Sequence, residues 1–167
     1  TDTKPFINHF DAAFSFHVLE HVAEPLEFIK QMCRYVKPGG KICISVPNQA
    51  GPVKYLKDSV MNMPPHHATH WQKKTFQKVA EHLGLRIIRI SYEPLLLSNY
   101  YYYSYYWIEA KFCKSNRIHR AIKRFLPPII EKFFKLLSQK KIKSFPLLKG
   151  QAIYVVMEKP VLKESKE

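Results

Sequence analysis

His17-Val18-Leu19-Glu20-His21 places two imidazoles and a carboxylate within five residues, the H-x-x-E-H spacing with which one class of zinc peptidase holds its metal. That chemistry needs the three side chains on one stable helix, completed by a further ligand and by groups that orient the imidazoles. The surroundings argue otherwise. The segment directly follows a strand-like run, Phe10 to Phe16, and Pro25 favours a helix that begins only after it. Polar residues at the end of a strand are therefore expected here, not a peptidase helix. A second cluster, His66, His67 and His70 with Trp71, has ligand-like density, yet no cysteine or neighbouring carboxylate completes a set in sequence apart from distant Asp58. Cys33, Cys43 and Cys113 are an odd set with no C-x-x-C pair; neither a disulfide framework nor a thiolate zinc site is expected, and a reducing, cytoplasmic setting follows.

The elements that must position these residues can be read from periodicity. Residues 10–16 lack a helical period and read as a buried strand; Leu26, Ile29, Met32, Cys33 and Val36 recur at three and four and predict a helix from Pro25, ended by Lys37-Pro38-Gly39-Gly40. Residues 42–46 are a second strand, stopped by Pro47. Strand, helix and strand at this spacing imply a parallel crossover, which sets the His17–Glu20–His21 cluster at a carboxyl end, where open α/β sheets bind their ligands. Phe76, Val79, Ala80 and Leu83 predict another amphipathic helix capped by Gly84, followed by strands at 85–92 and 152–157.

The chain has 167 residues, 46% hydrophobic and 14% aromatic, enough for one domain with its own core, and a net charge of +14 with a pI near 9.7. Such a balance favours anionic partners without choosing among them. No charged-then-apolar leader opens the sequence, and the longest apolar run, 95–107, is broken by Ser98, Asn99 and Ser104, so neither a signal peptide nor a spanning helix is expected. The opening at Thr1, close to a strand, predicts a segment of a longer polypeptide.

Residues 10–48, FDAAFSFHVLEHVAEPLEFIKQMCRYVKPGGKICISVPN, resemble the second half of class I S-adenosylmethionine-dependent methyltransferases, in which F-D, L-E-H-V, a helix, K-P-G-G and a strand ending in P-N follow in that order. NMPPHHATHW at 62–71 and KTFQKVAEHLGL after it resemble the loop and helix of the ubiquinone-pathway O-methyltransferase branch. The resemblance implies an α/β fold: the C-terminal part of a Rossmann-like sheet, parallel strands plus one antiparallel strand, with a helical insertion before the last strand. It divides the chain into a partial methyltransferase domain, 1–94 and 150–160, an aromatic and basic insertion, 95–149, and a tail, 161–167. It implies S-adenosylmethionine as cofactor and methyl transfer to a small-molecule, glycan or lipid-linked acceptor. Phe16, His17 and Val18 would face the cofactor; Glu20, His21, His67 and His70 are the candidates for acid–base work; His66, Trp71 and Tyr100 would face the acceptor. The ubiquinone branch carries E-x-x-E-H with a divalent metal, but here His17 replaces the first glutamate, and no metal is assigned. The family's glycine-rich turn is not found ahead of the first strand, so the isolated chain is expected to bind the cofactor weakly, and its first strand to present an open edge for association.

The insertion supports other readings. Basic residues interleaved with the tyrosines of 100–107 could follow a nucleic-acid backbone, but no compact nucleic-acid motif accompanies them. An apolar stripe, Leu126, Ile129, Ile130, Phe133 and Leu137 with flanking lysines, has the composition of a helix at an anionic membrane surface, and a peripheral location would follow. The alternative function is therefore a non-catalytic partner or a membrane-surface binding module.

Overall fold

A computed structural model describes residues 6–55, 60–96, 99, 103–104, 106–108, 116–139 and 144–161. Strand β1, Phe10–Phe16, leads through a 3-10 turn, Leu19–His21, into helix α1, Pro25–Tyr35, and strand β2, Val36–Pro47. Helix α2, Lys73–His82, precedes β3, Arg86–Leu96; helix α3, Asn116–Gln139, precedes β4, Ser144–Glu158. The sheet order is β1-β2-β4-β3. β1 and β2 are parallel, and β4 is antiparallel to both β2 and β3, so three strands share a direction and the last strand enters between two of them.

Register explains where the core sits. Ala13 aligns with Ile42, Ile42 with Met157, Ile44 with Val155 and Val46 with Ile153, while β3 adds Ile87, Ile90 and Tyr92 to the same rows. Alternate residues point to one face, and this face packs against Ile29 and Met32 of α1 and Phe76, Val79 and Ala80 of α2. Both crossover helices thus cover the same side. The opposite rows hold Phe14, Phe16 and Tyr154, which are 64%, 57% and 37% exposed. Although the apolar run at 10–16 reads as a buried strand, only its Ser15 is buried; the expectation assumed two covered faces, and the described residues cover one.

Lys37-Pro38-Gly39-Gly40 does not end α1. The helix stops at Tyr35, and Val36 is already extended; Pro38 disfavours helical backbone at the residue before it. The four residues form a bulge inside β2, where the register jumps from Phe10↔Val36 to Ala12↔Lys41. Gly39 has φ 81°, donates its N–H to Lys159 O at 2.7 Å, and Gly40 O accepts from Lys159 N at 3.0 Å. A β-carbon on Gly40 would lie 2.4 Å from Val36 Cγ1 and 2.8 Å from Asp11 O. At the same end, Glu158 binds Lys41 of β2 at 2.8 Å and Arg86 of β3 at 2.5 Å, tying three strands, and these cations hold its carboxyl below the usual glutamate value.

Candidate active site

β1 is followed directly by His17, whose backbone is left-handed, φ 52°, a conformation uncommon for a side chain of this size. Its N–H still donates to Ser45 O at 2.9 Å, so the chain leaves the sheet immediately after that bond and turns into Leu19–His21. Leu19 is fully buried and anchors the turn in the core. Glu20, its neighbour, is 2% exposed. The segment is one 3-10 turn, so the three H-x-x-E-H side chains do not share a long helix, as the peptidase arrangement requires.

The histidine loop, more than forty residues later, is laid directly on this turn. Glu20 O accepts from Ala68 N at 2.8 Å and Thr69 N at 3.1 Å, and Leu19 O accepts from Thr69 Oγ1 at 3.2 Å. His21, His66 and His67 consequently cluster, with ring centroids 4.9–5.5 Å apart and the His21 and His67 rings edge to face. They line, with His17 and Glu20, a cleft of about 340 Å³ at the carboxyl ends of β1 and β2.

Hydrogen-bond partners fix which ring nitrogens are available. His21 Nδ1 lies 2.5 Å from His66 O; a carbonyl only accepts, so Nδ1 carries the proton and Nε2 keeps a lone pair. His67 Nδ1 lies 3.4 Å from Asn62 Oδ1, an oxygen that also accepts from Gln49 Nε2 at 2.7 Å, and its Nε2 is likewise left as an acceptor. His21 Nε2 is 3.9 Å from Glu20 Oε1, and His17 Nδ1 is 3.3 Å from the same oxygen. Glu20 Oε2 is buried with no hydrogen-bond partner among the described residues. The floor of the cleft therefore concentrates acceptors and calls for a proton or a cation.

Burial pushes the His67 imidazole below the ordinary histidine value; the Glu20 carboxylate pulls it up, and His21, His66 and His70 push it down. The group stays neutral where a free imidazole would begin to charge. Burial raises the thiols of Cys33 and Cys43, which leaves them poor nucleophiles. The donor set of Glu20, His21 and His67, whose ligand atoms lie within 4.8 Å of one another, fits a divalent ion; a carboxylate with two imidazoles suits zinc or cobalt better than magnesium.

Some expected site residues lie elsewhere. His70 is exposed and its Nε2–H donates to Asn62 O at 2.9 Å, so it braces the loop. Trp71 is 3% exposed, stacks on Phe76 at 4.9 Å and donates Nε1–H to Thr69 Oγ1; it belongs to the core and not to an acceptor pocket, because the loop turns inward there to pair with Asn48. Phe16 and Val18 are exposed and outside the cleft lining, and Tyr100 lies outside the described residues. Conversely, Asn62, Tyr103 and Gln151 join the cleft without a signal that singles them out. Tyr103 is 7% exposed and donates its hydroxyl to Gln151 Oε1 at 3.0 Å, three residues from the expected Tyr100.

A one-directional trio of strands with an antiparallel strand between the last two, and a histidine-bearing cleft at their carboxyl ends, defines a Rossmann-like domain of the methyltransferase class. A model of the methyltransferase domain family matches residues 2–90, and the chain belongs to that family. It is 36% identical over 69 residues to the mitochondrial ubiquinone biosynthesis O-methyltransferase of Dictyostelium discoideum, a match covering 38% of this chain and 21% of that protein. The fold is shared with a SAM-dependent methyltransferase from Archaeoglobus fulgidus, TM-score 0.52 at 18% identity over 92% of this chain and 61% of that one. It is shared also with a Bacillus halodurans protein assigned as a methyltransferase, TM-score 0.51 at 16% identity over 93% of this chain and 72% of the other. The chain thus spans about a fifth of the curated relative.

Proposed function

We propose that the protein transfers the methyl group of S-adenosylmethionine to an O–H or N–H acceptor on a small molecule, a glycan or a lipid-linked precursor, with this chain supplying the acceptor side of the site. The observation that carries the reading is the convergence of Glu20, His21, His66 and His67 on one cleft at the carboxyl ends of two parallel strands. The acceptor atom attacks the methyl carbon, the new bond forms as the carbon–sulfur bond breaks, and S-adenosylhomocysteine leaves. The acceptor's proton passes to an imidazole Nε2. His67, neutral and with that nitrogen free, is the base; Glu20 stabilises the imidazolium that results, as a carboxylate beside a catalytic histidine does. Were a divalent ion held by Glu20, His21 and His67 instead, it would take the His67 lone pair and serve in place of the base, as a Lewis acid that lowers the acceptor's own pKa.

The second half of the cofactor grip, a glycine-rich strand-turn-helix, is proposed to come from another part of the encoded polypeptide. The open face carrying Phe14, Phe16 and Tyr154 supports this, since sheets with parallel strands are ordinarily covered on both sides. Titration calorimetry with S-adenosylhomocysteine tests it. The complete encoded polypeptide should bind about a hundredfold tighter than residues 1–167, the effect of restoring about two hydrogen bonds to charged or polar ligand groups. In that polypeptide, His67→Gln should leave this binding within about threefold and slow transfer of a tritiated methyl group about 10²- to 10³-fold. Failure of the complete polypeptide to bind S-adenosylhomocysteine would leave a non-catalytic partner as the reading.

A further inference from the structure

Helix α3 holds a feature that the cleft does not use. Phe125, Ile129, Phe133 and Leu136 are 61%, 65%, 54% and 52% exposed. At 100° per residue these four positions fall within an arc of about 80°, one continuous apolar stripe facing outward. Leu126, Ile130 and Pro127, which follow the stripe around the helix from its Phe133 edge, are half-buried. Beside the stripe lie the exposed cations Arg124, Lys132 and Lys135, and Arg124 sits over the Phe125 ring at 5.6 Å. Ile129, Lys132, Phe133, Lys135 and Leu136 border a shallow hollow of about 510 Å³. Across Asn116–Gln139 six residues are Lys or Arg and one, Glu131, is acidic.

We infer that α3 lies on an anionic phospholipid surface, with Phe125, Ile129, Phe133 and Leu136 entering the headgroup–acyl boundary and Lys132 and Lys135 meeting the lipid phosphates. An apolar stripe with a cationic flank on one amphipathic helix matches both halves of such a surface, and lysine stems can lie along apolar chains while their ammonium groups reach the headgroups. No helix among the described residues is long and apolar enough to cross a membrane; α3 rests on the surface. The charge complementarity is what selects lipid over a second copy of this helix, whose flank carries the same cations, six Lys or Arg against one acid across Asn116–Gln139.

Co-sedimentation of the 167-residue chain with phosphatidylcholine vesicles, with and without about a third phosphatidylserine, tests the inference. Binding should require phosphatidylserine and fall as salt rises. Lys132→Glu with Lys135→Glu should weaken it by at least about tenfold, and Phe125→Ser with Ile129→Ser by a similar factor, with helix content by circular dichroism unchanged. Phe14→Thr with Phe16→Thr, on the open sheet face, serves as the control and should bind as the parent does. Binding that ignores phosphatidylserine and salt, or survives both α3 pairs, overturns the proposal. So does loss of binding in the Phe14/Phe16 pair alone, a monomer–dimer equilibrium abolished by the Phe125/Ile129 pair without vesicle binding, or retention on single-stranded nucleic acid by a chain that ignores vesicles.

Discussion

The chemistry at the residue scale turns on an imbalance: Glu20 presents two buried oxygens, and His21 and His67 present lone pairs, with His17 alone among the described residues near enough to donate. A carboxylate kept from water beside imidazole lone pairs is costly in a fold and useful in a site that receives protons. His67 reports on it directly. Its imidazole is held below the ordinary histidine value by burial, so between that ordinary value and its own lower one the unfolded chain binds a proton that the folded chain refuses. Stability contributed here is full above the ordinary histidine value and declines as pH falls below it. Histidine ring-proton titration by NMR should place the His67 midpoint below that of an unstructured histidine. Glu20→Gln removes the one influence that raises it, so the midpoint should drop further; an upward move would show that the carboxylate does not face this ring. His17 is the second local expense, an imidazole carried on left-handed backbone, of the kind that functional sites retain.

Elements bring these residues together through close backbone approach. Gly150 is the point at which β4 leaves its regular pairing with β3: the register runs Tyr92↔Ile153, then Pro94↔Lys149, then Leu95↔Phe145. A β-carbon on Gly150 would stand 2.4 Å from Glu93 O and 3.1 Å from Pro94 O, against backbone that cannot yield without parting the strands. Gly150→Ala should therefore lower the urea-unfolding free energy by about 1–3 kcal/mol, and because Gln151, its neighbour, holds the Tyr103 hydroxyl, the cleft wall should loosen with it. Gly84, with φ 63° and open space around its α-carbon, is the contrast. It needs glycine for backbone angle alone, at the end of α2.

At the scale of the whole molecule, one face of the sheet is covered by two helices and the other exposes Phe14, Phe16 and Tyr154. An apolar surface continuous with an edge strand invites association. Sedimentation velocity on residues 1–167 should show concentration-dependent self-association that Phe14→Thr with Phe16→Thr reduces. A monodisperse monomer at high concentration would mean that this face is shielded by other means.

Local pattern was enough to mark β1, both crossover helices and the carboxyl-end position of His17 to His21, because helical and extended periods are written in neighbouring side chains and a parallel crossover has one favoured hand. The order L-E-H, K-P-G-G, P-N pointed to the family for the same reason: each piece is contiguous. Bulge versus turn at Lys37 to Gly40 was not legible, since the deciding partner, Lys159, is supplied by the far end of the chain. Nor was the choice among the loop histidines. Which of them faces Glu20, and that Trp71 turns to Phe76 instead, depends on hydrogen bonds from Ala68 and Thr69 to a turn nearly fifty residues away. The sequence by itself determined the elements and the chemical repertoire; the tertiary structure alone decided which groups meet, because the contacts that orient a site join segments that carry no record of one another along the chain.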